Sequence, residues 1–356
     1  MTTYRTVVFV GLLALAGPSP AAAQTGRDSA KAIFERVMTA ASAPAGQLAV
    51  ANGDTIALRA TWGKWDDAGL RPVTDTSLFR IGSISKLLTA TAAALLWESG
   101  RLDLDEPIDR LVPEVVGSHG RVTPRLLGGH LGGIRHYLGR DFTRTPQRWS
   151  DVTGALVIFA PDSLTSPPGT RYLYSSYGYN LLGAAVQRAA KADYREVVHT
   201  LVTGPLGLRR THAQRSDSVA AETAAAFMFD GQTARPAAAP DLSDRWPSGG
   251  FLSTAEELAR FGVTATSPPY LSPRVRDLLF SPMQIDGKST GVGFGWRVGR
   301  DSKGRTVYHH GGASVGGRAM LMVWPAERLA VAMTTNLGGA RYGEAEVMSI
   351  GEALLP

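Results

Sequence analysis

The alternation of apolar and polar positions divides the chain into strand-like ends and a helix-rich middle. In DSAKAIFERVMTAASA (28–43), Ala32, Ile33, Val37, Met38 and Ala41 recur at helical spacing and predict a helix. GQLAVANGDTIALRATWG (46–63) then carries two short strand-like runs around Asn52-Gly53, a dipeptide suited to a tight hairpin turn. A further helix is expected to open at Ser83, with Ile84, Leu87, Leu88, Thr91 and Leu95 on one face and Gly100 as its stop. From about 100 to 280, segments such as YGYNLLGAAVQRAAKADYREVVHTLV and STAEELARFG read as helices separated by loops. In the latter, Ser253 and Glu256 have capping-box spacing. The Ala/Pro-rich stretch 224–250 reads as a surface excursion near a cleft. GVGFGWRVGR, TVYHHGG, AMLMVWP and LAVAMTTN predict consecutive short strands, and GEAEVMSIGEALL a closing helix.

Strands at both ends with helices between them predict an α+β fold: one antiparallel sheet built from both chain ends, with flanking helices and an inserted, mainly helical lobe as the second wall of a cleft. The sheet lobe is expected at about 24–82 and 285–356, and the helical lobe at about 83–284. The first 23 residues stand apart. Arg5, the apolar run Val7–Ala16 and the small residues Ala21 and Ala23 have the three-part layout of a secretory leader cleaved after Ala23. Ten apolar residues are too few to span a bilayer, so no stable membrane insertion is expected after cleavage. The expectation is an exported protein, periplasmic or secreted.

The chain contains no cysteine, which excludes disulfides, thiol chemistry and Cys-based metal sites. Its net charge of +6 comes from thinly spread, mostly Arg residues with no basic run, so no nucleic-acid partner is expected. The seven histidines show neither H-E-x-x-H nor H-x-H, and no metal or other cofactor is expected.

Candidate chemistry begins at FRIGSISK (79–86). Of the six lysines, only Lys86 has a Ser three residues before it. At that spacing a serine oxygen and a lysine amine share one helix face. A lysine held neutral by a low-dielectric pocket can take the serine proton. Taken alone, the tetrapeptide also fits an N-cap Ser followed by a surface Lys. Two later motifs change its weight: Tyr174-Ser175-Ser176 just before a helical segment, and His310-Gly311-Gly312 on a strand.

In this order and spacing the three motifs resemble the serine β-lactamase and penicillin-binding-protein superfamily, on the branch with Tyr in the second motif. That branch includes class C β-lactamases, D-amino-acid peptidases, esterases and the mitochondrial serine β-lactamase-like subgroup. PRLLGGHLGGIRHY and PSGGFLSTAEELARFG are similar to further segments of the family. The resemblance implies a β-lactamase/transpeptidase-like fold and an acyl-enzyme on a nucleophilic Ser83, with Lys86 as its base. It makes Tyr174 a second proton carrier whose phenol pKa is lowered by Lys86. The backbone N–H groups of Ser83 and Ala313 become the oxyanion hole, and Ser176, His310, Gly311 and Gly312 contact substrate.

Three departures bear on the substrate. Ser176 stands where the family has Asn, and a hydroxyl lacks the two-ended reach of an amide. His310 and Gly311 replace the Lys and Thr of K-T-G, weakening recognition of a carboxylate. GGHLGG (128–133) adds glycines to a loop that is then expected to be mobile. The expected reaction is hydrolysis of an ester or amide in a small molecule or peptide, including cell-wall peptides, rather than efficient β-lactam turnover. The competing reading is a binding or scaffolding protein that has lost turnover, against which stand the intact Ser83, Lys86 and Tyr174.

Other motifs carry less. Gly312-Ala313-Ser314-Val315-Gly316 mimics a hydrolase elbow, but a strand follows it and no Asp or His lies downstream. His130 and His136 are expected to be structural or to line the cleft, and Tyr177 and Tyr179 to pack. His309 is expected on the sheet face opposite His310, and Arg135 in solvent.

Overall fold

The computed structural model describes residues 20–115, 117–142, 147–215 and 222–356. The expected leader lies outside the described residues up to position 19. Its expected cleavage point, Ala23, falls within the first helix, α1 (Pro20–Ala40). That helix begins before the 28–43 pattern does, as alanines at 21–23 favour backward extension. The hairpin of β1 (Ala45–Asn52) and β2 (Thr55–Gly63) turns at Gly53-Asp54, with Gly53 at φ +55°. Then come α2 (Ser85–Glu98), α3 (Ser176–Ala190) and α4 (Ala255–Thr266), the main helices of the inserted part. The chain returns with β3 (Arg297–Arg300), β4 (Thr306–Ser314), β5 (Gly317–Trp324) and β6 (Leu329–Thr335), and closes on α5 (Glu344–Glu352).

The six strands form one antiparallel sheet in the order β3-β4-β5-β6-β1-β2. The pairing of β1 with β6, from Gly46 opposite Thr335 to Asn52 opposite Leu329, joins the two ends of the chain. Both faces are covered, which is why β5 and β6 read as unbroken apolar runs. Met320, Met322, Trp324, Val331 and Met333 face a core shared with Phe34 and Met38 of α1 and Val347 and Ile350 of α5. Alternate residues Ala319, Leu321, Val323, Ala330 and Ala332 face the core beneath α2, α3 and α4.

Several expectations change at this level. Ser83 does not open α2; it lies in a preceding 3₁₀ turn, Gly82–Ile84, and α2 starts at Ser85. Helix α2 is also buried almost all round rather than on one face, from Ser85 to Ala94. Its hydroxyls are satisfied internally, Ser85 donating to the Gly82 carbonyl and Thr91 to that of Leu87. The cap of α4 is Thr254, whose oxygen accepts the Glu257 N–H, while Ser253 hydrogen-bonds Thr211. The stretch 224–250 is only partly a surface excursion. Phe227–Phe229 pairs with Leu337–Gly338, and Trp246, Pro247 and Ser248 are buried against α2 and α3.

The glycines of 128–133 are packed rather than slack. A Cβ on Gly128 would sit 2.1 Å from the Phe294 ring, and one on Gly133 would sit 2.1 Å from the Ser166 carbonyl oxygen. Gly133 also has φ +70°. The loop is glycine-rich because neighbouring chain occupies the space side chains would need.

Candidate active site

Ser83 is held by a short strand, a tight turn and a buried helix. Phe79–Arg80 pairs with Phe251–Ser253, Gly82 turns the chain at φ +50°, and α2 anchors the following residues. At the second position of α2, Lys86 is fully buried with Nζ 3.0 Å from Ser83 Oγ. Nζ also lies 3.0 Å from Ser176 Oγ and 2.6 Å from the Ser248 carbonyl oxygen. No carboxylate is among these partners. Burial therefore pushes the Lys86 pKa well below its ordinary value, favouring the neutral amine. A neutral amine 3.0 Å from a hydroxyl is placed to take its proton.

The second wall comes from the start of α3. Ser175 caps this helix, its oxygen accepting the Gly178 N–H and its hydroxyl donating to the Arg135 carbonyl. This cap leaves Tyr174 and Ser176 bordering the cleft. Two histidine rings brace the entry: His130 Nδ1 accepts the Ser175 N–H and His136 Nδ1 the Ser176 N–H, each at 3.2 Å. The Tyr174 ring lies 4.5 Å from that of His130, and Lys86 Nζ lies 5.0 Å from its centroid. Its phenol is not a ready phenolate. Burial raises its pKa to about 12, against smaller opposing effects of a hydrogen bond to Ser83 and of Arg297. The expectation of a phenol pKa lowered by Lys86 is thus overturned: a neutral lysine supplies no charge to lower it.

The third wall is β4. Gly312 is so close to the Ser83 turn that a Cβ there would fall 1.9 Å from the Ile81 carbonyl oxygen and 3.1 Å from Ser83 N. A Cβ on Gly82 would lie 2.5 Å from Ala313 N, so the backbone nitrogens of Ser83 and Ala313 flank one narrow gap. His310 points to the cleft and is buried. Its Nδ1 lies 2.7 Å from the Gly311 carbonyl oxygen, which can only accept, so that nitrogen carries the proton. The bare Nε2 has no partner among the described residues. Burial lowers the His310 pKa to about 3, so His310 is an acceptor rather than a cation. His309 faces the other way, 3.5 Å from where a Gly299 Cβ would lie and 3.4 Å from Glu344.

These walls enclose a cleft of about 620 Å³ that contains Ser83, Tyr174, Ser176, His310, Gly311, Gly312 and Ala313 together. His136, Tyr137, Arg297, Arg318 and Glu344 border it as well. Arg135 corrects the expectation of a solvated side chain. It is buried, ion-paired to Asp141 and Asp162, and lies over the Tyr177 ring. Tyr137 and Ser248, which join the network around Lys86, were not singled out from sequence. Their only sequence signal is position: each sits at the edge of a segment resembling the family, GGIRHY or PSGG.

A buried lysine against a serine, walled by a tyrosine and a glycine-bearing strand, points to the β-lactamase and penicillin-binding-protein superfamily. The chain belongs to the β-lactamase family, whose profile matches residues 30–355. The serine beta-lactamase-like protein LACTB, mitochondrial, of Homo sapiens is 27% identical over 353 residues, covering 72% of this chain and 64% of that protein. The chain therefore spans less than two thirds of that relative. Penicillin-binding protein 4* of Bacillus subtilis (strain 168) is 26% identical over 288 residues, covering 75% and 62%. The octameric penicillin-binding protein homologue from Pyrococcus abyssi has the same fold, with a TM-score of 0.78 at 21% identity over 92% of this chain and 77% of that one.

Proposed function

We propose that this chain is an exported hydrolase that forms an acyl-enzyme on Ser83 and then releases the acyl group to water. The observation that carries the proposal is Lys86: buried, with no carboxylate partner among the described residues, 3.0 Å from Ser83 Oγ. Its neutral amine takes the Ser83 proton as Oγ attacks an ester or amide carbonyl. The oxyanion lies between the backbone N–H groups of Ser83 and Ala313. Tyr174, protonated because burial raises its pKa, gives its proton to the departing oxygen or nitrogen and recovers one from Lys86. Water then attacks the acyl carbonyl by the same route in reverse.

The departures favour esters and small or D-amino-acid peptides, cell-wall peptides among them, over β-lactams. Ser176 offers one hydroxyl where an amide would reach both a substrate carbonyl and Lys86. His310 is neutral, so the carboxylate of a penicillin meets an unprotonated ring nitrogen there rather than a lysine. Export, to the periplasm or medium, is proposed from the N-terminal pattern.

The test is mass spectrometry of wild type and Ser83→Ala after exposure to a fluorophosphonate, p-nitrophenyl butyrate and benzylpenicillin. The expected result is a Ser83 adduct and faster turnover of the ester than of the β-lactam, both absent in Ser83→Ala. Folded wild type that neither labels nor turns over any of the three would refute the hydrolase reading in favour of a binding role.

A further inference from the structure

Two histidines flank the Tyr174 ring, and a backbone group of fixed polarity sets the tautomer of each. His310 lies 6.3 Å from that ring, centroid to centroid, and His136 5.4 Å, edge-on. The Gly311 carbonyl only accepts, so His310 Nδ1 donates to it at 2.7 Å and Nε2 is left as a bare acceptor. The Ser176 N–H only donates, so His136 Nδ1 is bare and the neutral ring carries its hydrogen on Nε2. Both rings line the cleft, one bringing an acceptor and the other a donor. His310 is only 2% exposed, and its Nε2 is buried with no partner among the described residues. A buried acceptor left unpaired is unfavourable, and a bound molecule that brings an N–H relieves it.

We propose that His310 is a specificity-determining residue that accepts an N–H from the leaving group, so that the cleft prefers a leaving residue ending in a carboxamide, as an amidated or continuing peptide does, to one ending in a carboxylate. This rests on the acyl-enzyme reading, in which Tyr174 delivers the proton to the departing atom, so that groups beside Tyr174 face the leaving side. A carboxamide brings an N–H for His310 and a carbonyl oxygen for the His136 N–H. A carboxylate brings acceptors only. It satisfies His136 but sets lone pair against lone pair at His310. Burial keeps a second proton off His310, so the ring does not become a donor instead. The cations of the cleft do not supply the missing hydrogen. Arg318 donates to the Tyr342 carbonyl and lies over the Tyr342 ring. Arg297 stands over Tyr174 and is partly exposed, where solvent and salt weaken its pull on a carboxylate. Glu344, on the same border, repels one.

The measurement is kcat/KM for three esters with a common butyryl group: O-butyrylglycolamide, O-butyrylglycolate and O-butyryl-N,N-dimethylglycolamide, each divided by its own rate of alkaline hydrolysis. In all three Ser83 Oγ displaces the alkoxide, which takes its proton from Tyr174, so the tail alone differs. Wild type should favour the carboxamide over the carboxylate by about 10-fold or more, the effect of one buried hydrogen-bonding group left unpaired. The dimethylamide, neutral but without an N–H, should fall behind the primary amide by a similar factor, which separates the hydrogen bond from the charge. His310→Gln places a side chain there that both donates and accepts, so carboxamide and carboxylate should come within about 3-fold of each other. A loss of folded protein would lower all rates together and leave their ratios unmoved. Should His310→Gln not fold, the dimethylamide comparison in wild type remains the test. The proposal is overturned, while wild type still turns over p-nitrophenyl butyrate, by any of four results: no turnover of the carboxamide, a wild-type preference for it below about 3-fold, a dimethylamide as fast as the primary amide, or an unchanged ratio in His310→Gln. Wild type that neither turns over p-nitrophenyl butyrate nor labels with a fluorophosphonate would instead overturn the acyl-enzyme reading, and this proposal with it.

Discussion

Gly312→Ala and Gly311→Ala are adjacent changes of one methyl group each, and the structure assigns them opposite outcomes. Neither glycine has a positive φ, so both substitutions are purely a matter of space. At Gly312 the new Cβ falls 1.9 Å from the Ile81 carbonyl oxygen. Reaching an ordinary separation of roughly 3.2 Å means moving β4 away from the Ser83 turn by about 1.3 Å. Overpacking on this scale costs about 1–3 kcal/mol of stability. It also carries Ala313 away from Ser83, and a misplacement of about 1 Å in a reacting geometry costs on the order of 100-fold in rate. At Gly311 the nearest atom is Met320 Cε at 3.0 Å, the far end of a flexible side chain that can swing aside. The assay is the rate of fluorophosphonate labelling per folded molecule, with folding measured by urea titration. Gly312→Ala should lose about 100-fold and Gly311→Ala less than about 3-fold. Equal rates for the two variants would show that β4 does not wall the nucleophile as described.

Two further predictions concern stability. His310 is buried and neutral with a pKa of about 3, against 6.5 when free, so the folded state binds fewer protons than the unfolded chain between those values. Its contribution is therefore present above pH 6.5 and lost as pH falls towards 3, at about 1.4 kcal/mol per pH unit for one such group. Urea titrations at pH 7 and about pH 4.5 should show a smaller acid loss for His310→Gln, by on the order of 2–3 kcal/mol, and an unchanged loss would refute the assignment. Arg135→Met leaves Asp141, only 4% exposed, without its cation, and should cost about 3–5 kcal/mol in the same titration. A loss below about 1 kcal/mol would mean that solvent replaces the pair.

The fold was largely legible because the strands alternate and the helices repeat, and both periods follow from which face is covered. The hairpin at Asn52-Gly53 and the four C-terminal strands lie where their patterns place them. Ser83, Lys86, Tyr174, Ser176 and His310 could be picked out because their motifs have fixed local spacing. What escaped was set by tertiary contact. Thr254 takes the cap of α4 because Ser253 is engaged by Thr211, which no local pattern encodes. Arg135 is buried because Asp141 and Asp162 fold over it, and the glycines of 128–133 are tight because Phe294 and Ser166 arrive from elsewhere. The Tyr174 pKa was misjudged because burial, invisible in a linear sequence, outweighs its neighbours. Tyr137 and Ser248 carry no motif of their own and matter only through the hydrogen bonds that join them.

The sheet that walls Ser83 is closed by contacts between distant parts of the chain. The Ala45 N–H, at the start of β1, donates to the Asn336 side chain 291 residues further on. A growing chain thus displays Ser83 and Lys86 long before β4, β5 and β6 exist to face them, and such long-range pairings are the slow events of folding. Until they form, Ala313 is not beside the Ser83 turn and the His310 wall of the cleft is missing. A chain stalled before its last strands is then a nascent polypeptide with a bare hairpin edge and an unfinished cleft, a hazard for aggregation.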